Sequence, residues 1–164
     1  KLLEQAVAME GPCYVRLGRA KVPVFYEDSD QLTLGRGNLV KDGKDITIVA
    51  TGIMVSEAMA AAEKLKEDGI DARIIDIHTI KPIDEEILIK AAQETGAIVT
   101  AEEHSIIGGL GSAVAEVIVK NCPVNMAMVG QKDTYGESGK PDELKKKYGM
   151  TAEDIEAAVK NLIG

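Results

Sequence analysis

The sequence predicts an α/β protein, a three-layer α/β/α sandwich on a mixed, mostly parallel sheet of about five strands. From about Leu32 onward, short aliphatic runs alternate with segments of helical periodicity. Such alternation with short connections is typical of parallel strands joined by right-handed crossovers. Hydrophobic residues make up 45% of the chain but aromatic residues only 3%, so the core is aliphatic, as suits strands buried on both faces.

The regular elements follow one another closely. Residues 37–40 and 46–50 flank Asp42-Gly43, a strong hairpin signal, so the first two strands are expected to pair antiparallel. Later elements are expected as helix 54–66, strand 72–77, helix 84–92, strand 97–101, helix 110–119, strand 124–129 and two helices that begin near Pro141 and Thr151. Asp84 and Thr151 are the expected N-caps of their helices.

The first thirty or so residues follow a different pattern. Residues 1–10 have helical spacing, Cys13–Leu17 is typical of a short strand, and Gly18–Asp30 shows no period and contains a proline. One helix and one strand cannot bury themselves alone. We therefore assign residues 1–30 to the tail of a preceding domain plus a linker, and residues 31–164 to one complete domain.

Composition excludes several classes of function. The formal net charge of −8 argues against a nucleic-acid surface, which needs a basic face. No apolar run approaches the roughly 18 residues that span a bilayer, and the first residues lack the apolar stretch of a secretory signal. Cys13 and Cys122 form no C-x-x-C unit and are expected to be reduced thiols. A cytoplasmic protein is the resulting expectation.

One group of candidate residues follows the strand predicted at 97–101. Glu102, Glu103 and His104 are expected at the carboxyl end of that strand, where open α/β sheets place ligands. His104 beside two carboxylates is either an acid–base group or a loop histidine above a glycine-shaped turn.

The glycines that follow it do not form a dinucleotide site. The run Gly108–Gly111 fails the G-x-G-x-x-G spacing, because position 114 is Val. We interpret these glycines as permitting a tight turn and close packing of the next helix.

Two arginines form a second candidate site. Arg16 and Arg19 lie at the end of the short strand predicted at 13–17 and either converge on a phosphate or carboxylate, or remain solvated surface charges. The histidines, His78 and His104, do not pair with each other or with a cysteine at ligand spacing, so a zinc site is not expected. His78 is expected to orient a strand-to-helix loop.

An ordered series of motifs covers the chain from its start to its end. The series is Tyr14–Arg19, Asp45–Gly52, Asp76–Asp84, Glu102–His104 with Gly108–Gly111, and Tyr135–Gly139. It resembles the thiamine-diphosphate-dependent family that includes transketolase, 1-deoxyxylulose-5-phosphate synthase and the β-subunits of 2-oxoacid dehydrogenase E1 components. The chain corresponds to the carboxy-terminal section, and Tyr135–Gly139 most resembles transketolase.

This resemblance implies a transferase that moves a two-carbon ketol unit between sugar phosphates with thiamine diphosphate and magnesium. The family's metal-binding Gly-Asp-Gly and downstream Asn have no counterpart here. The chain alone is therefore expected to bind no cofactor and to be inactive. The resemblance places Arg19 at a position that contacts substrate phosphate, with Arg16 beside it.

The resemblance also implies partners. They are an N-terminal transketolase portion or subunit, a sugar-phosphate substrate and a second copy in a homo-oligomer, with no nucleic acid and no membrane. Alternatives remain open: a β-subunit of a 2-oxoacid dehydrogenase E1, a deoxyxylulose-phosphate synthase, or a subunit-docking module without catalytic groups.

Overall fold

The computed structural model describes residues 1–18 and 21–164, and these contain a five-stranded sheet. The strands are β1 (Asn38–Lys41), β2 (Ile46–Ala50), β3 (Ala72–Asp76), β4 (Ala97–Ser105) and β5 (Asn125–Gln131), in the order β1-β3-β2-β4-β5. Strands β2 to β5 are parallel, while β1 runs antiparallel to β3. The predicted mixed, mostly parallel sheet is confirmed.

Helices cover both faces of this sheet. The helices of the described residues are α1 (Leu2–Ala8), α2 (Met54–Glu67), α3 (Glu85–Thr95), α4 (Leu110–Asn121), α5 (Pro141–Lys147) and α6 (Ala152–Ile163). One core cluster lies between the sheet and helices α2 and α6, and a second lies between the sheet and helices α3 and α4. Along β2, Ile48 faces the first cluster and Val49 the second, as the alternation of a strand requires. The three-layer sandwich is therefore confirmed.

Two helix starts follow from single polar residues, as predicted. The Asp84 carboxylate accepts a hydrogen bond from the Ile87 backbone N–H, and α3 begins one residue after it. Thr151 and Asp154 exchange hydrogen bonds in a capping box at the start of α6. Both caps satisfy amide groups that lack an intrahelical partner.

The predicted hairpin is wrong in its pairing. Strand β1 is antiparallel, but its neighbour is β3 rather than β2. The connection around Gly43 passes over the start of β3, where a side chain on Gly43 would lie 2.4 Å from the Ala72 carbonyl carbon. The backbone N–H groups of Lys44 and Asp45 both donate to the Asp71 carbonyl at 3.0 Å. The chain reverses direction between β1 and β2, as predicted, but it crosses β3 instead of returning beside β1.

The strand predicted at Cys13–Leu17 is also wrong. Residues 12–18 have no regular structure, and Tyr14 and Leu17 are 88% and 81% exposed. A strand requires a neighbour to receive its backbone hydrogen bonds, and none of the described strands pairs with this segment.

Helix α1 is attached to the segment between residues 27 and 34. The Lys1 ammonium donates to the backbone carbonyls of Glu27, Asp28 and Asp30 at 2.6–3.2 Å. The Gln5 side chain donates to the Leu32 carbonyl and accepts from the Leu34 N–H. These contacts place α1 beside the linker, and the predicted boundary at residue 30 stays a prediction.

Among residues 1–18 and 21–164, no helix has both the length and the apolar character needed to cross a bilayer.

Candidate functional site

The carboxyl ends of β3, β2 and β4 meet at one edge of the sheet, where α/β proteins place their ligands. Ala50 at the end of β2 lies level with Asp76 on β3 and with Ala101 on β4. Strand β4 continues beyond that level to Ser105. Glu102, Glu103 and His104 are therefore part of the strand, and the predicted end of the strand at Ala101 is wrong.

Glu102 caps the N-terminus of α4. Its side chain is 1% exposed, and its two carboxylate oxygens accept hydrogen bonds from the backbone N–H groups of Leu110 at 2.7 Å and Gly111 at 2.8 Å. The first amides of a helix lack intrahelical acceptors and carry partial positive charge. The strand continues past Ala101 because this helix end provides partners for a buried carboxylate.

The glycine run makes room for this cap. A side-chain carbon on Gly109 would lie 2.0 Å from the Glu102 Oε2 atom, and one on Gly111 would lie 2.8 Å from the Met128 sulfur. Gly108 has a φ angle of +76°, a left-handed conformation that favours glycine. The predicted role of the glycines, a tight turn and close helix packing, is confirmed. The chain's own carboxylate occupies the position at the helix N-terminus where a phosphate binds in nucleotide sites.

His104 makes no hydrogen bond to either neighbouring carboxylate, and its role as an acid–base group stays a prediction. Its Nδ1 atom lies 2.9 Å from the Ser105 carbonyl oxygen. That oxygen can only accept, so Nδ1 donates. The Glu102 oxygen is 3.8 Å away and already accepts from the helix. His104 is 51% exposed, so it is a surface residue with one satisfied nitrogen.

Arg16 approaches the same edge from the N-terminal segment. Its guanidinium lies 4.0 Å from the Glu103 carboxylate, and its side chain is 56% exposed. Arg19 lies outside the described residues. The expected convergence of the two arginines on a phosphate therefore stays a prediction, and Arg16 is placed beside the end of β4.

Asp76, at the end of β3, is a buried carboxylate that the sequence analysis missed. It is 7% exposed, and its Oδ2 atom accepts a hydrogen bond from the Tyr26 hydroxyl at 2.7 Å. Its Oδ1 atom is buried and has no hydrogen-bond partner among the described residues. Burial raises the pKa of Asp76, while the Tyr26 hydrogen bond and the nearby His78 lower it. A charged residue within the aliphatic run Ile74–Ile77 was the available signal.

Tyr26 and His78 are the groups around Asp76. Burial, and then the hydrogen bond to Asp76, raise the pKa of the Tyr26 phenol, so the hydroxyl is a donor at neutral pH. His78 contacts its neighbour Thr79 through Nδ1 at 2.8 Å, as expected for a residue that orders its own loop. Its Nε2 atom is buried without a hydrogen-bond partner among the described residues, and burial lowers the pKa of the imidazole.

The described residues do not fit a magnesium–diphosphate group. Within residues 1–18 and 21–164, no cluster of three His, Cys, Asp or Glu side chains could hold a metal ion. The α4 N-terminus, with its glycine turn, is filled by Glu102. The edge instead carries Arg16 and the half-exposed His104, next to the buried Glu102 and to Glu103, which is paired with Arg16.

Comparison with known proteins gives the family. Residues 35–155 match the transketolase C-terminal domain. The chain is 50% identical over 151 residues to the 6-deoxy-6-sulfo-D-fructose transketolase subunit SqwH of Clostridium sp., covering 92% of this chain and 47% of that protein. It is 44% identical over 156 residues to an apulose-4-phosphate transketolase subunit of Phocaeicola vulgatus, covering 94% of this chain and 50% of that protein.

A solved structure agrees with these relatives. The chain superposes with a TM-score of 0.95 and 50% identity on a protein described as a split gene transketolase, inactive beta4 tetramer, covering 98% of this chain and 53% of that one. The chain thus spans about half the length of the curated relatives it matches. It belongs to the transketolase C-terminal domain family.

Proposed function

We propose that this chain is the C-terminal part of a transketolase that transfers a two-carbon ketol unit between sugar phosphates. The observation that carries the proposal is the fold match over 98% of the chain, at 50% identity, to a split gene transketolase. Two relatives at 50% and 44% identity are also named as transketolase subunits. The chain alone is expected to be inactive, because thiamine diphosphate and magnesium would be held by residues outside it.

Within that enzyme, Arg16 and Arg19 are proposed to bind the terminal anion of the sugar. A guanidinium holds two oxygens of a phosphate in a planar fork, which an ammonium cannot do. The names of the two relatives support an anionic substrate, since one is named for a sulfonated ketose and the other for a phosphorylated one. Because these sugars differ, the substrate of this chain is proposed only as a ketose with a terminal anionic group.

The proposed partner is an N-terminal transketolase portion or subunit, within a homo-oligomer. The two relatives are named as subunits, and the similar structure is described as a tetramer. The N-terminal segment supports such a partner, because several of its large apolar side chains are exposed, whereas on an ordinary surface such side chains are exposed singly. They are Leu3, Val7, Tyr14, Leu17 and Val24.

A panel of substrates tests the proposed reaction in the complete enzyme that contains this chain. With thiamine diphosphate and magnesium present, we expect a seven-carbon ketose phosphate from xylulose 5-phosphate and ribose 5-phosphate. Condensation of pyruvate with glyceraldehyde 3-phosphate would instead indicate a deoxyxylulose-phosphate synthase. Oxidative decarboxylation of pyruvate would indicate a 2-oxoacid dehydrogenase E1.

The docking-module alternative requires a second comparison. Under the proposal, Arg19→Ala in the complete enzyme lowers transfer from phosphorylated ketoses without dissociating the subunits. Under the alternative, Arg19→Ala has no effect on transfer, and changes in activity follow only from loss of assembly. Size-exclusion chromatography of the same variant separates these outcomes.

A further inference from the structure

The segment from Arg16 to Tyr26 contacts the sheet through a side chain at each of its ends, on either side of residues 19 and 20. Arg16 lies 4.0 Å from Glu103, beyond the level where β2 ends. Tyr26 donates its hydroxyl hydrogen to Asp76 at the end of β3. Because β2 lies between β3 and β4 in the sheet, the two attachment points are two strand positions apart on the same edge.

The covalent length of the segment does not by itself keep it at this edge. Adjacent strands are about 4.8 Å apart, so two positions correspond to roughly 10 Å. The chain between Arg16 and Tyr26 is about ten residues long and could extend to roughly 33 Å. The side-chain attachments therefore decide whether the segment stays against the ends of β3 and β4.

The two attachments are unequal. The Arg16–Glu103 pair has both side chains partly exposed at 56% and 40%, and exposed ion pairs contribute little because water and salt screen them. The Asp76 carboxylate is buried, and its other oxygen has no hydrogen-bond partner among the described residues. Removing the Tyr26 hydroxyl would leave that carboxylate unsatisfied, which is costly in a buried environment. The Tyr26–Asp76 bond is thus the main attachment.

We propose that Asp76 is a positioning residue: by holding Tyr26 at the end of β3, it fixes the segment that carries Arg16 and so orients the site for the terminal anion of the substrate. The inference rests on the proposed function, in which that anion is bound by arginines of this segment. It gives the C-terminal domain a part in substrate selection.

The first test compares two Tyr→Phe variants of the complete enzyme. Tyr26→Phe removes the bond to Asp76, while the control Tyr148→Phe removes a hydroxyl that donates to the Tyr135 carbonyl at 3.2 Å and makes no bond to Asp76. For Tyr26→Phe we expect KM for xylulose 5-phosphate to rise about threefold to tenfold with kcat within about twofold. KM for unphosphorylated xylulose should not change. Tyr148→Phe should leave KM unchanged for both substrates.

Substitution of the acceptor gives an internal rescue. Asp76→Asn keeps an oxygen that can accept from the Tyr26 hydroxyl and should resemble the wild type. Asp76→Leu removes the acceptor and should reproduce the KM increase of Tyr26→Phe. An equal loss for xylulose 5-phosphate and xylulose in Tyr26→Phe would assign the bond to general stability and overturn the inference, as would wild-type kinetics in Asp76→Leu.

Hydrogen exchange measures the attachment without a substrate. In the complete enzyme, amides of residues 21–30 should exchange faster in Tyr26→Phe than in Tyr148→Phe, while those of β2 stay protected. Unchanged exchange in residues 21–30 overturns the inference whatever the kinetics. If the wild-type enzyme does not use xylulose 5-phosphate, or any other ketose with a terminal anion, the proposed function fails together with the substrate part of the inference. The exchange result then reports on the attachment alone.

Discussion

The ends of β3 and β4 each bury a carboxylate at the same edge of the sheet, and the two are satisfied in different ways. Glu102 on β4 has both oxygens bonded to backbone amides at the start of α4. Asp76 on β3 has one oxygen bonded to a tyrosine hydroxyl from a distant segment and the other without a hydrogen-bond partner among the described residues. Glu102 connects two elements of the same domain, while Asp76 connects the domain to the segment that precedes it in the chain.

Matched amide substitutions should separate these two roles most strongly. In Glu102→Gln, an NH2 group replaces an acceptor and faces a helix N–H, so we expect a loss of about 2–3 kcal/mol in the free energy of unfolding. Asp76→Asn keeps an acceptor for Tyr26 and removes a buried charge, so we expect a change within about 1 kcal/mol. Urea unfolding of both variants measures this. Equal losses would show that the two carboxylates are held alike.

The space around the Glu102 cap gives the next largest effect. In Gly109→Ala, the added methyl group would lie 2.0 Å from the Glu102 oxygen, so the cap must shift. We expect a loss of about 2 kcal/mol in unfolding free energy. Gly136→Ala is the control, since a methyl group there meets no atom within 4 Å, and its change should stay within about 0.5 kcal/mol. If Gly109→Ala loses no more unfolding free energy than Gly136→Ala, the turn can accommodate a methyl group without displacing the cap.

The pH dependence of stability should show the effect of His78, which follows the end of β3, and this is the smallest effect expected. Burial lowers the pKa of His78 below its ordinary value of 6.5. The folded state therefore prefers neutral His78, and its contribution to stability is complete above pH 6.5 and is lost as the pH falls toward the lowered pKa. Unfolding free energies measured between pH 7.5 and pH 5 should fall less steeply in His78→Gln than in the wild type.

Much of the sandwich could be predicted because its signals are local. Strand β2 and helix α3 have the periodicity of their classes, and the caps at Asp84 and Thr151 depend on residues within three positions. The pairing of β1 with β3 could not be predicted in this way, because the Asp42-Gly43 turn specifies a reversal of the chain without specifying the neighbouring strand.

The site was less predictable, because its contacts join residues that are distant in sequence. Tyr26 and Asp76 are 50 positions apart, and no pattern in either segment indicates the other. Glu102 was expected beyond the end of the strand because the apolar run of β4 ends at Ala101, and the packed start of α4 explains why a carboxylate can be buried there. The two arginines were recognised as a candidate anion site from their position at a strand end, and the proposed contact with substrate phosphate came from the family resemblance.

The most direct test of the proposed function is the ratio of kcat/KM for phosphorylated and unphosphorylated donors in the complete enzyme with Arg19→Ala. If Arg19 binds the terminal anion, kcat/KM for xylulose 5-phosphate should fall about thirtyfold to hundredfold, which is roughly 2–3 kcal/mol, while the value for xylulose hardly changes. Arg19→Lys should restore only part of the loss, because an ammonium cannot form the two-point fork. Equal losses for the two donors would contradict the account and assign Arg19 to structure.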